Sequence, residues 1–190
     1  MLEEKVRLEK SRIRKEIRER LSKLGEFERR NKSRILKEKL FRRSEFRDSR
    51  VVMFYLSMKD EVETRPMIEE ALNMGKRICL PIVESGKEDM IVSEIRGLSK
   101  DIVRSDSGID EPKETCPRIT DTGQIDCVVV PGLVFDDKLN RLGRGKGYYD
   151  RFLKKIPAST PKIALAFQCQ KVSELPATRD DIPVTVLITA

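Results

Sequence analysis

Histidine is absent from the 190 residues, and so is tryptophan. Without an imidazole, Ser-His-Asp and Cys-His pairs and histidine general bases are excluded, so any chemistry must run on carboxylates, amines, guanidinium groups and hydroxyls. A reaction dominated by positioning and phosphate electrostatics suits that inventory. Cys79, Cys116, Cys127 and Cys169 are far apart, form no C-x-x-C pair and have no histidine to complete a zinc set, which predicts free thiols. Cys79 and Cys127 fall in apolar strand patterns, where cysteine acts as a small hydrophobe. No apolar run reaches a membrane span; the longest is the nine residues 127–135. The first five residues lack the apolar core of a leader, so a cytoplasmic protein without membrane association is expected.

Charge is abundant and unevenly spread. The first 50 residues hold 19 lysines and arginines against 10 carboxylates, whereas the rest of the chain is slightly acidic. A basic arm of this kind raises the question of nucleic acid, but Phe27, Phe41 and Phe46 are its only aromatics and acidic residues interrupt the cations. Small anionic ligands explain the surplus as well, and i,i+4 ion pairs on solvated helix faces account for most of it.

Val6, Ile13, Ile17, Leu21 and Leu24 recur at helical spacing, which predicts an amphipathic helix over 5–24 with Gly25 as its stop. Lys10, Arg14 and Arg18 follow at i, i+4 and i+8, a basic stripe beside that seam. A second helix, 26–43, is expected to bury Ile35, Leu36 and Leu40. Residues 51–56 read as a buried strand. Thr64 then caps a helix with Pro66 in its first turn and Met67, Ile68, Ala71, Leu72 and Met74 on its inner face, ended by Gly75. A strand over 77–83 completes a βαβ unit. Further strands are expected over 90–95, 126–130, 162–167 and 184–189, with 108–118 and its prolines as a loop. The alternation implies one domain over 1–190, an open, largely parallel α/β sheet with helices on both faces and ligands outside the carboxyl ends of its strands.

Asn140-Arg141-Leu142-Gly143-Arg144-Gly145-Lys146-Gly147-Tyr148-Tyr149-Asp150 packs three glycines, three cations and a carboxylate between the apolar run 127–135 and a predicted helix over 148–155. Tyr149, Phe152 and Leu153 share the buried face of that helix. Gly143, Gly145 and Gly147 can take positive φ and turn backbone N–H groups toward an anion, which the helix dipole also favours. Arg141, Arg144 and Lys146 add mobile positive charge, and Asp150 is placed to hold a magnesium ion that bridges phosphates. The spacing is neither that of a P-loop nor that of the dinucleotide fingerprint.

Val130-Pro131-Gly132-Leu133-Val134-Phe135-Asp136, followed by the run from Arg141 to Asp150, closely resembles the signature of the 5-formyltetrahydrofolate cyclo-ligases, also called 5,10-methenyltetrahydrofolate synthetases. The likeness extends to Lys10-x-x-x-Arg14, to Tyr55-Leu56-Ser57 with Glu61-Val62-Glu63-Thr64, and to Gln168, Leu175-Pro176 and Asp181, and so spans nearly the whole chain. There are two departures. Leu139 stands where the family usually has a turn glycine, which bears on the geometry of residues 136–140, and the chain ends Thr189-Ala190 without the usual acidic residue.

The resemblance implies a three-layer Rossmann-like fold related to sugar-phosphate isomerases. It implies ATP-dependent cyclisation of 5-formyltetrahydrofolate to 5,10-methenyltetrahydrofolate, with Mg2+ as the cofactor of ATP; separately, a monomer is expected. It assigns ATP to Lys10, Ser11, Arg12, Ile13 and Arg14 and to Arg141, Leu142, Gly143, Arg144, Gly145, Lys146, Gly147, Tyr148 and Tyr149. The folate falls to Leu56, Glu61, Arg144, Gly145, Lys146, Gly147 and Tyr148, with Arg144, Lys146 and Tyr148 nearest the chemistry. Metal contacts fall to Asp150 and Asp181. Two readings from other classes stay open beside it, a sugar-phosphate isomerase-like enzyme and a basic nucleic-acid-binding protein; the first needs no ATP and the second no turnover.

Overall fold

Five parallel strands and one antiparallel edge strand form the central sheet. The computed structural model describes residues 2–84, 86–105 and 108–190; Met1, part of the segment read for a leader, lies outside them. Helices α1 (Leu2–Ser22), α2 (Glu26–Arg42) and α3 (Ser44–Arg47) precede β1 (Val51–Met53), α4 (Arg65–Asn73), β2 (Arg77–Ile82) and β3 (Ile91–Ile95). Then come α5 (Leu98–Asp101), β4 (Ile102–Arg104), β5 (Asp110–Pro112), β6 (Cys127–Val130), β7 (Val134–Phe135), β8 (Arg141–Leu142), α6 (Tyr148–Leu153), β9 (Lys162–Ala166) and β10 (Val186–Thr189).

The order across the sheet is β10-β9-β6-β1-β2-β3. From β1 the chain crosses through α4 to β2 on one side, and from β6 it crosses through α6 to β9 on the other. The winding direction therefore reverses between β1 and β6, and it is in the crevice outside the carboxyl ends of strands at such a reversal that open α/β sheets bind ligands. Strand residues alternate between two apolar layers, as the pleat dictates. Val52 and Val129 join Ile13, Ile17, Leu21, Leu36, Leu40 and Ile68 on the face covered by α1, α2 and α4. Val51, Met53, Val128 and Val130 join Phe152, Leu153 and Val184 on the face covered by α6 and the C-terminal segment. The fold is thus a three-layer α/β sandwich, with one helical layer much thicker than the other. Each fully buried Leu, Ile or Phe contributes about 1.5–3 kcal/mol by leaving water, which docks α1 firmly.

Several local expectations are corrected. Ile35 is exposed because Ser33, Leu36 and Leu40 set the inner face of α2, and Ile35 lies off it. Met74 is likewise exposed, past the last turn of α4. Gly25 does not stop α1 in a left-handed turn; at φ −65° it is the N-cap of α2. Thr64 occupies the N-cap of α4, but its hydroxyl turns back to donate to the Tyr55 carbonyl and accept from Ser57 N, tying the helix entry to the end of β1. β1 is shorter than its apolar run, although Phe54 and Tyr55 stay buried beyond it. Residues 108–118 are not all loop, since 110–112 pair with β4. Finally, the glycine loop does not follow β6 directly. The β7–β8 hairpin intervenes, and the loop leaves from β8.

Candidate functional site

Two loops face each other across the crevice. One, residues 54–64, follows β1 and carries Asp60 and Glu61; the other, 143–147, joins β8 to α6. Glu61 closes its own turn, since its Oε2 accepts from Met58 N at 2.9 Å and its N–H donates to the Met58 carbonyl. Arg144 reaches across: its Nη2 lies 2.6 Å from Asp60 Oδ1 and 3.1 Å from Glu61 Oε1. Burial alone would lower the Arg144 pKa, but the hydrogen bond it donates to Asp60 and the charges of Glu61 and Asp60 raise it, so the guanidinium stays charged.

Helix α1 closes the third side. Lys10 Nζ donates to Asp181 Oδ2 at 2.6 Å, and Arg14 Nε donates to the Gly143 carbonyl at 2.8 Å. Spacing i, i+4 puts both cations on one flank of the helix while Ile13 and Ile17 enter the core beside them. Arg14 loses part of its hydration, and desolvation together with the like charge of Arg18 lowers its pKa. The rest of the predicted 10–14 run does not converge. Ser11 and Arg12 are exposed, Arg12 pairs with Glu9, and Ile13 is core.

Within the glycine loop, Gly145 (φ 111°) and Gly147 (φ 70°) use backbone that side chains rarely adopt; Gly143 does not. A β-carbon on Gly145 would lie 3.5 Å from Arg14 Cζ, so the loop backbone and the α1 guanidinium pack face to face. Lys146 is exposed and has no hydrogen bond or ion pair among the described residues, which leaves its charge available to a ligand. Leu142 is buried and Leu56 half-buried against the core. Tyr148 lies half-buried with Arg151 over its ring at 5.2 Å. The Tyr149 ring faces Arg141, and its hydroxyl is buried with no hydrogen-bond partner among the described residues; burial and the nearby Glu61 charge push its pKa far above the ordinary value.

Asp150 meets the chain one residue beyond Asp181. Ile182 N donates to Asp150 Oδ1 at 3.2 Å, and Arg141 Nη2, on a side chain only 2% exposed, donates to the same oxygen at 2.5 Å. Asp181 Oδ2 accepts from Lys10 and from the N–H and hydroxyl of Thr178. Burial raises the Asp181 pKa, but these hydrogen bonds outweigh it and the net shift is downward. Asp150 Oδ2 and Asp181 Oδ1 have no hydrogen bond among the described residues. Two hard carboxylate oxygens fit Mg2+, which takes one or two carboxylates and completes its shell with water and phosphates. No group of three or more metal-ligating side chains occurs among the described residues, so such an ion would draw its remaining ligands from water and phosphate.

Residue types alone did not single out Asp60 or Asp136. Asp136, fully buried, accepts from Lys138 N, Asn140 N, Asn140 Nδ2 and Leu175 N. Its spacing to the N–H two residues on is an Asx-turn signal that locates this anchor. Part of the basic arm is paired in place, by Glu16–Arg20, Glu26–Arg30, Glu28–Lys32 and Arg34–Glu38 along α1 and α2 and by Lys37–Glu70 between α2 and α4. No helix among the described residues is long and apolar enough to cross a membrane.

A sequence profile described as the 5-formyltetrahydrofolate cyclo-ligase family matches residues 6–190. The chain is 33% identical over 181 residues to the 5-formyltetrahydrofolate cyclo-ligase of Mus musculus, covering 90% of this chain and 89% of that one. It resembles the solution structure of Aquifex aeolicus 5,10-methenyltetrahydrofolate synthetase with a TM-score of 0.82 and 34% identity, over 95% of this chain and 89% of that one. A Mycoplasma pneumoniae 5,10-methenyltetrahydrofolate synthetase matches with a TM-score of 0.76 and 25% identity, over 94% and 97% of the two chains.

Proposed function

The chain belongs to the 5-formyltetrahydrofolate cyclo-ligase family, and we propose that it converts 5-formyltetrahydrofolate and magnesium ATP into 5,10-methenyltetrahydrofolate, ADP and phosphate. A formamide carbonyl is a poor electrophile because nitrogen donates into it, and its oxygen is a poor leaving group. Attack of the formyl oxygen on the γ-phosphorus, with ADP departing, gives an iminium phosphate and solves both problems. The second folate nitrogen then bonds to the formyl carbon and loses its proton. Cleavage of the carbon–oxygen bond releases phosphate and leaves the methenyl bridge.

The observation that carries this reading is the meeting of an acidic loop and a cationic glycine loop at the reversal of strand order. Glu61 accepts the N–H donors of the pterin, with Leu56 as apolar packing beside it, and Tyr148 borders the folate. Lys10, Arg14, Arg144 and Lys146 supply the charge that phosphates require, helped by loop N–H groups. Ile13, Leu142 and Tyr149 support that wall through helix and hairpin packing, while Ser11 and Arg12 lie on the exposed side of α1 and drop out of the nucleotide contacts. Asp150 and Asp181 would hold Mg2+, whose charge draws the phosphate oxygens together when bound. With no histidine in the chain, alignment and electrostatics carry the rate. The proposal takes the enzyme to act as a cytoplasmic monomer.

The deciding assay follows absorbance of the methenyl product from purified protein and 5-formyltetrahydrofolate, with and without magnesium ATP. Product should form only with the nucleotide, and product formed without it would overturn the phosphorylation scheme. Asp150→Asn should raise the magnesium concentration for half-maximal rate while leaving nucleotide-free folate binding unchanged. Because it also weakens the partner of the buried Arg141, it should lower stability by about 1–3 kcal/mol in urea. An unshifted magnesium requirement would remove Asp150 from the metal site.

A further inference from the structure

Arg144 has two acidic partners where one would neutralise it. Besides the two Nη2 contacts, its Nε lies 3.3 Å from Glu61 Oε1. The two carboxylates are adjacent in sequence but differ in setting. The Glu61 side chain is 14% exposed and bound into its own turn, whereas Asp60 is 37% exposed and makes no other hydrogen bond among the described residues.

We propose that Asp60 is a positioning residue for Arg144, keeping the guanidinium over the crevice once a folate has taken Glu61. The inference rests on the reading of Glu61 as the pterin acceptor. A carboxylate offers about four lone-pair directions. Met58 N uses one on Oε2, and Arg144 Nε and Nη2 use those on Oε1. Planar N–H donors that approach Glu61 as a pair need one direction on each oxygen, so a bound pterin displaces at least one of the two Arg144 contacts from Oε1. Asp60 Oδ1 holds Nη2 at the shorter distance and lies outside that exchange. It retains the arginine, and with it the tip of the glycine loop, beside the transferring phosphate. Without Asp60 the side chain must be ordered anew at each turnover, at a cost in rotamer entropy.

An exposed pair of this kind adds little to global stability, which lets positioning be separated from folding. The experiment measures steady-state constants and Tm for wild type, Asp60→Asn and Asp60→Glu. Absence of wild-type turnover would be a failure of the proposed function rather than of this inference. The expected result is a kcat about tenfold lower in Asp60→Asn, the size of a lost charge-assisted hydrogen bond, with the folate KM changed by less than about twofold and Tm unmoved. Asp60→Glu should recover most of the rate. Binding of a non-hydrolysable ATP analogue in the presence of folate completes a cycle with Arg144→Gln: Asp60→Asn should weaken it in the wild-type background and add nothing in the variant. Wild-type kinetics in Asp60→Asn, a raised folate KM at constant kcat, or additive losses in the cycle would each overturn the proposal.

Discussion

Leu139 adopts φ 65° in the turn between Asp136 and Asn140, the one non-glycine residue with positive φ among those described. In this region a β-carbon crowds the following carbonyl, at roughly 1–2 kcal/mol. The turn persists because Asp136 fixes it with four hydrogen bonds and because Leu139 itself donates to the Asp136 carbonyl and accepts from Val184 N. Leu139 also packs on the Phe152 cluster, so a single truncation mixes packing with strain. Comparing two truncations removes the first: Leu139→Gly should be more stable than Leu139→Ala by about 1 kcal/mol in urea unfolding. Equal stabilities would mean that the turn relaxes without strain. Glu61→Gln belongs to the same scale. It keeps shape and removes a charged acceptor, so it should raise the folate KM more than the ATP KM, as steady-state kinetics would register. Equal effects on both would make Glu61 structural. Lys10 and Arg14 were legible as a pair because helical spacing fixes which side chains share a flank. Asp60 was not, because the partner that gives it meaning lies 84 residues away and only the fold brings it near.

At the scale of elements, the long periodic segments were readable and the short ones were not. Helix α1, helix α2 and the buried strands carry enough apolar residues for a period to show. The β7–β8 hairpin has two residues in each strand and therefore no period, although it aims Arg141 and launches the glycine loop. Its geometry depends on Gly132, where a β-carbon would fall 2.3 Å from Phe135 Cζ and 3.0 Å from Arg141 Cγ. Phe135 is fully buried and cannot swing aside. Gly132→Ala should thus cost about 1–3 kcal/mol, the range for overpacking a filled site. It should also lower kcat by moving Arg141 against Asp150. A variant with wild-type unfolding midpoint and turnover would show that the hairpin yields freely. The exposure of Ile35 and Met74 has the same origin as the hidden hairpin: apolar identity records what a residue can bury, while the partner surface decides whether it does.

The whole molecule ties its first helix to its last loop. Lys10 pairs with Asp181 across 171 residues, and Arg14 bonds Gly143 across 129, so α1 is a wall of the site as well as a cover for the sheet. The family resemblance covered both ends of the chain, but the physical link between them depends on a pairing that no local pattern encodes. Its contribution can be read from pH. Burial raises the Asp181 pKa, yet the hydrogen bonds from Lys10 and Thr178 bring it below the ordinary aspartate value. A group with a depressed folded pKa stabilises fully above its unfolded pKa, about 3.9, and loses that contribution as pH falls through the folded value. Wild type should therefore exceed Asp181→Asn in urea-unfolding free energy at pH 7, and the two should converge as acid protonates Asp181. Arg14, Lys10 and Asp180 also act on Asp181 electrostatically or border it, but they are common to both proteins and do not generate the convergence. If α1 docked through Ile13, Ile17 and Leu21 alone, the difference would be small and constant with pH. A gap that stays level between pH 7 and pH 3 would accordingly assign the helix to the hydrophobic seam and leave the Lys10–Asp181 pair a role only when ligand is bound.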